Sequence, residues 1–211
     1  FIDLNPGLSA INQNLFIISD YFLIPTNPDP FSVMAINTLS RVLPKWVSWL
    51  NTSRSIFAES AYPLPNTTPL FLGALIQRFN IRNKKAANPY KPAIAEIKKV
   101  LADVLFPKLE QSNMALTREK YSQLNLEGYC LQEIPEFQSL IQKSNEFAVP
   151  VFALTDQDLK DNGTNPPIAG TVLNNFKEKR DDLRKNFDNL YNALVHLLAT
   201  NPKPSTNATS I

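Results

Sequence analysis

Three polar side chains of this 211-residue chain lie at the ends of short apolar runs, where they could take part in chemistry. Asp3 ends FID and precedes a Pro-Gly turn, Asn27 follows YFLIPT, and Gln77 ends PLFLGALIQ. A carboxylate in such a position can hold Mg²⁺ through one of the waters that this ion keeps. A carboxamide both donates and accepts hydrogen bonds. The alternative for each is an ordinary polar residue that ends a strand or caps a turn.

The composition excludes several other kinds of site. Cys130 is the only cysteine, so no internal disulfide can form, which fits a reducing compartment. His196 is the only histidine, and a structural zinc site needs several such ligands. Its place in LYNALVHLL, late in a predicted helix, is typical of a surface or capping residue. The net charge of +2 does not indicate a nucleic-acid binder, and no apolar run has the roughly 18–20 residues of a membrane helix.

Apolar runs alternate with stretches of helical periodicity, which predicts an α/β fold with a mainly parallel sheet flanked by helices. The predicted strands are Phe1–Leu4, Tyr21–Pro25, Pro69–Phe79, Tyr129–Ile134 and Val151–Leu154. Ligands in such sheets bind beyond the carboxyl ends of the strands. We therefore expect Asp3, Asn27 and Gln77 to cluster along one edge.

The same pattern predicts five helices. The first is capped by Ser9, and the second begins at Asp29 or Pro30, runs to about Trp49 and is kinked or divided by Pro44. The others are Ala93–Leu109, Phe137–Phe147 and Gly170–Ala199. We expect residues 1–200 to form a single domain and the polar, proline-containing residues 201–211 to be disordered.

Three blocks of the sequence occur in an order that indicates a known family. The first block is FIDLNPGLSAINQNLFIISDYFLIPTNPDPFS, the second is LFLGALIQRFN, and the third is EIPEFQSLIQKSNEFAVPVFAL. Together they resemble the ParA/MinD family of deviant Walker-type ATPases, from the Walker B strand of that family onward. The matching features include an apolar strand with Asp3 and Pro6, a mid-helix Asn14, and the segments SDYFLIP and PDPFS.

The resemblance implies roles for particular residues. Asp3 would be the Walker B acid that anchors a magnesium water, and Pro6 would shape the switch that follows it. Gln77, with Arg78 beside it, would bond the amino edge of adenine. Two further roles are implied for residues elsewhere in the chain: Pro150 and Val151 would wall the base, or else pack in the core, and Asn27 would contact the nucleotide or a partner subunit.

The family's deviant phosphate loop, K-G-G-x-G-K-[ST], and its switch I acid belong upstream of the Walker B strand. This sequence contains neither, so we expect a P-loop NTPase-like fold without its N-terminal P-loop part. Asn5 also replaces the first of two prolines often seen in the family. Whether the chain is itself an enzyme is therefore left open, and we expect negligible ATP hydrolysis from these residues alone.

Many members of the family bind DNA without sequence preference. Here Arg82, Lys84 and Lys85 are the candidates, with Arg78 and Lys91 close in sequence, and a solvated loop is the alternative. Some relatives carry an arginine in the helix after Ile-Pro. Ser139 occupies that position here, and Lys143, one turn later, is a possible substitute.

The leading hypothesis is a ParA-like ATPase of DNA partition or cargo positioning that hydrolyses ATP with Mg²⁺ in the intact protein. Its expected partners are a second copy of itself in an ATP-dependent dimer, non-specific DNA and a partition adaptor protein. We expect a bacterial cytoplasmic location, associated with the nucleoid and not with a membrane. One alternative is a MinD-like membrane-cycling regulator, which needs a terminal basic amphipathic helix. Another is a non-catalytic interaction module that retains the dimer surface.

Overall fold

The computed structural model describes residues 1–5, 7–82, 85–161 and 167–199. Pro6 and Lys84, which have predicted roles, lie outside these ranges, as does the tail 201–211 that was predicted to be disordered.

A three-stranded parallel sheet has the strand order β1-β2-β5, from β1 (Tyr21–Thr26), β2 (Leu70–Gln77) and β5 (Cys130–Ile134). Tyr21 lies opposite Leu70 and Thr26 opposite Ile76. Continuous apolar runs such as YFLI suit strands that helices cover on both faces. The predicted α/β fold with a parallel sheet flanked by helices is therefore confirmed at this level.

A short antiparallel hairpin follows β2. Its strands are β3 (Ile81–Arg82) and β4 (Lys85–Ala86), and Arg82 lies opposite Lys85. No strand was predicted between Phe79 and Tyr129, so this hairpin was missed.

The helices in the described ranges are α1 (Ala10–Ile17), α2 (Pro30–Ser53), α3 (Lys91–Val100), α4 (Phe106–Gln111), α5 (Arg118–Ser122), α6 (Leu140–Phe147), α7 (Asp156–Lys160) and α8 (Gly170–Ala199). Ser9 caps α1 by accepting from the Asn12 N–H, and Asp29 caps α2 by accepting from the Ser32 N–H, as predicted. The helices α5 and α7 were not predicted.

Prolines affect two helices differently. Pro44 lies inside α2, which continues through it to Ser53, so the predicted alternative of a divided helix is wrong. Buried Leu43, Val47 and Leu50 hold this helix against its neighbours despite the missing donor. Between α3 and α4 the chain forms one π-helical stretch, Leu101–Leu105. Pro107, the second residue of α4, has no N–H to donate to the preceding turn.

The chain divides into two compact units. Unit 1 comprises Phe1–Ile76 and Asn88–Leu131, and unit 2 comprises Gln77–Ala87 and Gln132–Ile211.

The core of unit 1 is built around Phe71 and Tyr121. The Tyr121 hydroxyl donates to the Phe71 carbonyl and accepts from the Leu116 N–H at 3.2 Å, and burial raises the pKa of Tyr121. Gly73 has φ +148, and a Cβ there would lie 2.6 Å from the Leu131 side chain. Glycine is therefore required at this point of β2.

In unit 2, α8 packs against residues of the preceding turns. The core contains Leu140, Val151, Leu154, Leu159, Leu173 and Leu183. Arg180 is buried and donates to the Leu154 carbonyl at 3.1 Å and to Asp156 at 2.7 Å. Arg184 donates to the Phe152 carbonyl at 2.9 Å. These bonds fix the long helix to the segment before α7 and to the first residue of α7.

Two predicted strands are wrong. Phe1–Leu4 forms no strand, and its apolar side chains are exposed, because no described strand pairs with it. Val151–Leu154 is also not a strand, since Val151–Ala153 forms a 3₁₀ turn closed by the Ala153 N–H and the Pro150 carbonyl at 2.8 Å. Local hydrogen bonds of this kind replace those that a strand would give to a neighbour.

Among the described residues, no helix has both the length and the apolar character needed to cross a membrane.

The stability of unit 2 should depend on Asp156 at acidic pH. Hydrogen bonds from Lys177 at 2.6 Å and from Arg180 lower the pKa of Asp156 to about 2. Because the folded pKa lies below the unfolded value of about 4, this stabilisation is complete above pH 4 and disappears as the pH falls through about 2. Asp156→Asn should therefore lower the urea midpoint of α8 amide signals at pH 7, with a gap that closes between pH 4 and pH 2.

The control for this measurement is Asp188→Asn, which removes an exposed carboxylate from α8 itself. The urea midpoint of the α8 amide signals in that variant should equal the midpoint in the unaltered chain from pH 7 to pH 2. An Asp156→Asn deficit that is equally large at pH 7 and pH 2 would contradict the assignment.

Candidate functional site

A cleft of about 350 Å³ lies within unit 2. It is lined by Gln77 and Arg78, by residues 134–138 and by Ile141. The volume falls in the range of about 300–1,000 Å³ typical of small-molecule sites. The cleft therefore joins the end of the second sequence block to the Ile-Pro segment of the third.

Main-chain hydrogen bonds position both sides of this cleft. The Arg78 N–H donates to the Ile134 carbonyl at 3.1 Å, and the Glu136 N–H donates to the Phe79 carbonyl at 2.9 Å. Arg78 has φ 62, and Gln138 has φ 51. Left-handed backbone at residues other than glycine is uncommon and is concentrated at functional sites.

The lining offers a mixture of polar and apolar groups. Gln77 is half-buried, Arg78 is exposed, and within the described ranges neither side chain has a hydrogen-bond or ion-pair partner. Ile134, Pro135 and Ile141 contribute apolar surface. A planar, partly apolar ligand with its own donors and acceptors fits this chemistry, because the apolar groups can contact its faces while the carboxamide bonds its edge.

Pro150 and Val151, which were predicted to wall the base, do not line this cleft. Pro150 is exposed at the start of the 3₁₀ turn, and Val151 is buried in the core cluster with Leu140 and Leu154. Gln77 and Arg78 are thus the predicted pair that the structure brings together.

Asn27 lies in unit 1, directly after β1. Its N–H donates to the Ser32 hydroxyl at 3.0 Å, and its carbonyl accepts from the Asp29 N–H at 2.8 Å. Its side-chain Oδ1 is buried and has no hydrogen-bond partner among the described residues. An acceptor left in that state costs about 1–3 kcal/mol, so a donor from a ligand would be stabilising there.

Asp3 is exposed in a segment without regular secondary structure in unit 1. The described residues hold no group of three or more His, Cys, Asp or Glu side chains that could bind a metal ion. Asp3 alone therefore supplies one carboxylate, and a magnesium ion beside it would take its other ligands from water or from a bound phosphate.

The predicted DNA-binding residues lie partly on the hairpin. Arg82 and Lys85 are exposed and opposite each other in unit 2, and the Ala87 N–H closes the hairpin onto the Asn80 carbonyl at 2.9 Å. Lys91 is also exposed but belongs to unit 1.

The proposed role of Lys143 in DNA binding is wrong. Its side chain is buried, and Nζ donates to the carbonyls of Asp158 and Asp161. These acceptors lie at the end of α7, so the ammonium group serves as a cap for that helix.

Comparison of the chain with protein-family models, with curated proteins and with solved structures gave no match.

Proposed function

We propose that this chain is the base-binding part of a ParA-like ATPase, a protein that uses Mg²⁺-dependent ATP hydrolysis and ATP-dependent dimerisation to move DNA or other cargo. The observation that carries the proposal is the cleft beyond the carboxyl end of β2, where Gln77 and Arg78 meet the Ile134–Pro135 segment. The strand order β1-β2-β5 is compatible with such a fold.

The cleft has the chemistry that adenine requires. The amino edge of adenine offers one donor and one acceptor, and the Gln77 carboxamide complements both. Ile134 and Ile141 supply apolar contacts for the face of the ring. Arg78 has an exposed guanidinium beside this pair, which suits an anionic ligand group.

The catalytic part of the proposal concerns Asp3. When bound, Mg²⁺ would neutralise the charge on the phosphates during transfer of the terminal phosphoryl group. Asp3 would accept a hydrogen bond from a magnesium water, and the sequence carries no phosphate loop to bind the phosphates themselves. Nucleoside binding is therefore the property to measure with this chain.

Adenosine should bind weakly to the 211-residue chain, and saturation-transfer NMR can detect it through the base protons. Gln77→Ala should weaken binding roughly tenfold, since it removes two neutral hydrogen bonds worth about 0.5–1.5 kcal/mol each. Gln77→Glu should shift the preference toward guanosine, because an ionised carboxylate only accepts and guanine presents two donors on that edge.

The matched control is Gln142→Ala, which removes the same side chain from an exposed position of α6 outside the cleft lining. Its affinity should equal that of the unaltered chain. Equal binding of adenosine and uridine, or an unchanged affinity in Gln77→Ala, would rule out base recognition by this residue. A non-catalytic interaction module could share the cleft and would be distinguished by the absence of ATP turnover in the intact protein.

The hairpin supports DNA binding as a second property. Arg82 and Lys85 present exposed positive charge on opposite strands of β3 and β4, next to Arg78 in the chain. Contacts with phosphates need charge and reach and carry no sequence information. Non-specific duplex DNA is therefore the expected ligand of this surface.

The double variant Arg82→Glu plus Lys85→Glu should lose a salt-dependent mobility shift with random duplex DNA. Each lost phosphate contact should lower the slope of log affinity against log salt by roughly 0.9. The control is Lys160→Glu plus Lys185→Glu, which makes the same change in net charge at exposed positions elsewhere in unit 2. A loss of equal size in both double variants would show a bulk charge effect and contradict a hairpin site.

A further inference from the structure

We propose that Gln138 is a second base-reading residue of the cleft and that Lys179 on α8 sets the orientation of its carboxamide. This inference rests on the proposed function, since it assumes that a purine base occupies the cleft. It assigns the side-chain Nε2 of Gln138 as a donor to a ring nitrogen of that base.

The position of Gln138 is set by the backbone. It lines the same cleft as Gln77, and its φ of 51 places it in the left-handed region just before α6. This conformation is unfavourable for a residue other than glycine and persists only where surrounding structure holds it. The Ile141 N–H donates to the Gln138 carbonyl at 3.2 Å, which ties this residue to the start of the helix.

Lys179 determines which end of the carboxamide is available. Its Nζ donates to Gln138 Oε1 at 2.7 Å. An ammonium group can only donate, so it stabilises the rotamer in which the oxygen faces α8. The NH₂ group is then the end left for a ligand, and within the described ranges it has no partner.

A purine ring presents acceptors of the kind that such a donor can bond. N1, N3 and N7 of adenine are all unprotonated ring nitrogens, whereas a pyrimidine has fewer such positions. Gln77 complements the amino edge with both a donor and an acceptor. A donor-only group elsewhere in the lining therefore favours a purine that has the bonded ring nitrogen over an analogue that lacks it.

The test combines a substitution in the protein with a substitution in the ligand. Gln138→Glu keeps the shape of the side chain and the contact with Lys179 but removes the donor. Its affinity for adenosine should fall about threefold to tenfold, the value of one neutral hydrogen bond. Gln77 uses the ring acceptor beside the amino group, so either 1-deaza- or 7-deazaadenosine should weaken binding to both proteins alike. A different deaza analogue should weaken binding to the unaltered chain by the same threefold to tenfold and should not weaken binding to Gln138→Glu any further.

Lys179→Met should give a smaller loss of affinity for adenosine, because the carboxamide keeps its donor but can rotate. The double variant Gln138→Glu plus Lys179→Met should bind adenosine no more weakly than Gln138→Glu alone. The controls are Gln142→Glu on α6 and Lys185→Met on α8, which change exposed side chains of the same types. Both should bind all four nucleosides as the unaltered chain does.

The outcomes separate this inference from the proposed function. If adenosine binding depends on Gln77 while Gln138→Glu binds like the unaltered chain, the inference is overturned and base recognition stands. The inference would also be overturned if each deaza analogue lowered the affinity of the unaltered chain and of Gln138→Glu by the same factor. An unaltered chain that binds no adenosine would overturn both proposals.

Discussion

The candidate site depends on two main-chain hydrogen bonds that extend beyond β2 and β5. The Arg78 N–H bonds the Ile134 carbonyl, and the Glu136 N–H bonds the Phe79 carbonyl. With both ends held, Arg78 takes a left-handed conformation at φ 62 and Phe79 turns inward to 2% exposure. Strain of this kind persists only where neighbouring interactions over-determine it. The backbone, more than the side chains, therefore gives the cleft its shape.

Sequence patterns predicted the longest helix correctly, whereas two four-residue segments were wrongly predicted to be strands. The helix Gly170–Ala199 has apolar residues at steps of three, four or seven, a spacing typical of an amphipathic helix. The run Tyr21–Pro25 was predicted as a strand because it is short, continuously apolar and followed by turn residues. Four-residue segments such as Phe1–Leu4, which includes Asp3, and Val151–Leu154 carry no such constraint. Their state depends on whether a partner strand is present or a local hydrogen bond is better, and the residues themselves do not encode that. The missed α7 did carry a signal, the capping box of Thr155 and Asp158.

Part of the cleft could be predicted from its place in the chain, and part could not. Gln77 and Arg78 end a strongly apolar strand, so their place at a sheet edge follows from the pattern. Gln138 gives no such signal, because its left-handed backbone occurs without a glycine, and its partner Lys179 is 41 residues away in the chain. Contacts of that range come from tertiary packing, which periodicity does not describe. The burial of Val151, by contrast, follows the core-packing alternative that the sequence left open.

The cleft and the basic hairpin share one short segment, so a ligand that ordered this segment at one of them would affect binding at the other. Arg78 lines the cleft, Phe79 is buried in the core, and the Asn80 carbonyl closes the hairpin. A base seated against residues 134–138 would restrict this segment, and so would phosphates held by Arg82 and Lys85. If one ligand has already ordered this segment, the other binds without the entropic cost of ordering it again. Linkage is reciprocal, so any factor by which DNA alters nucleoside affinity must equal the factor by which nucleoside alters DNA affinity.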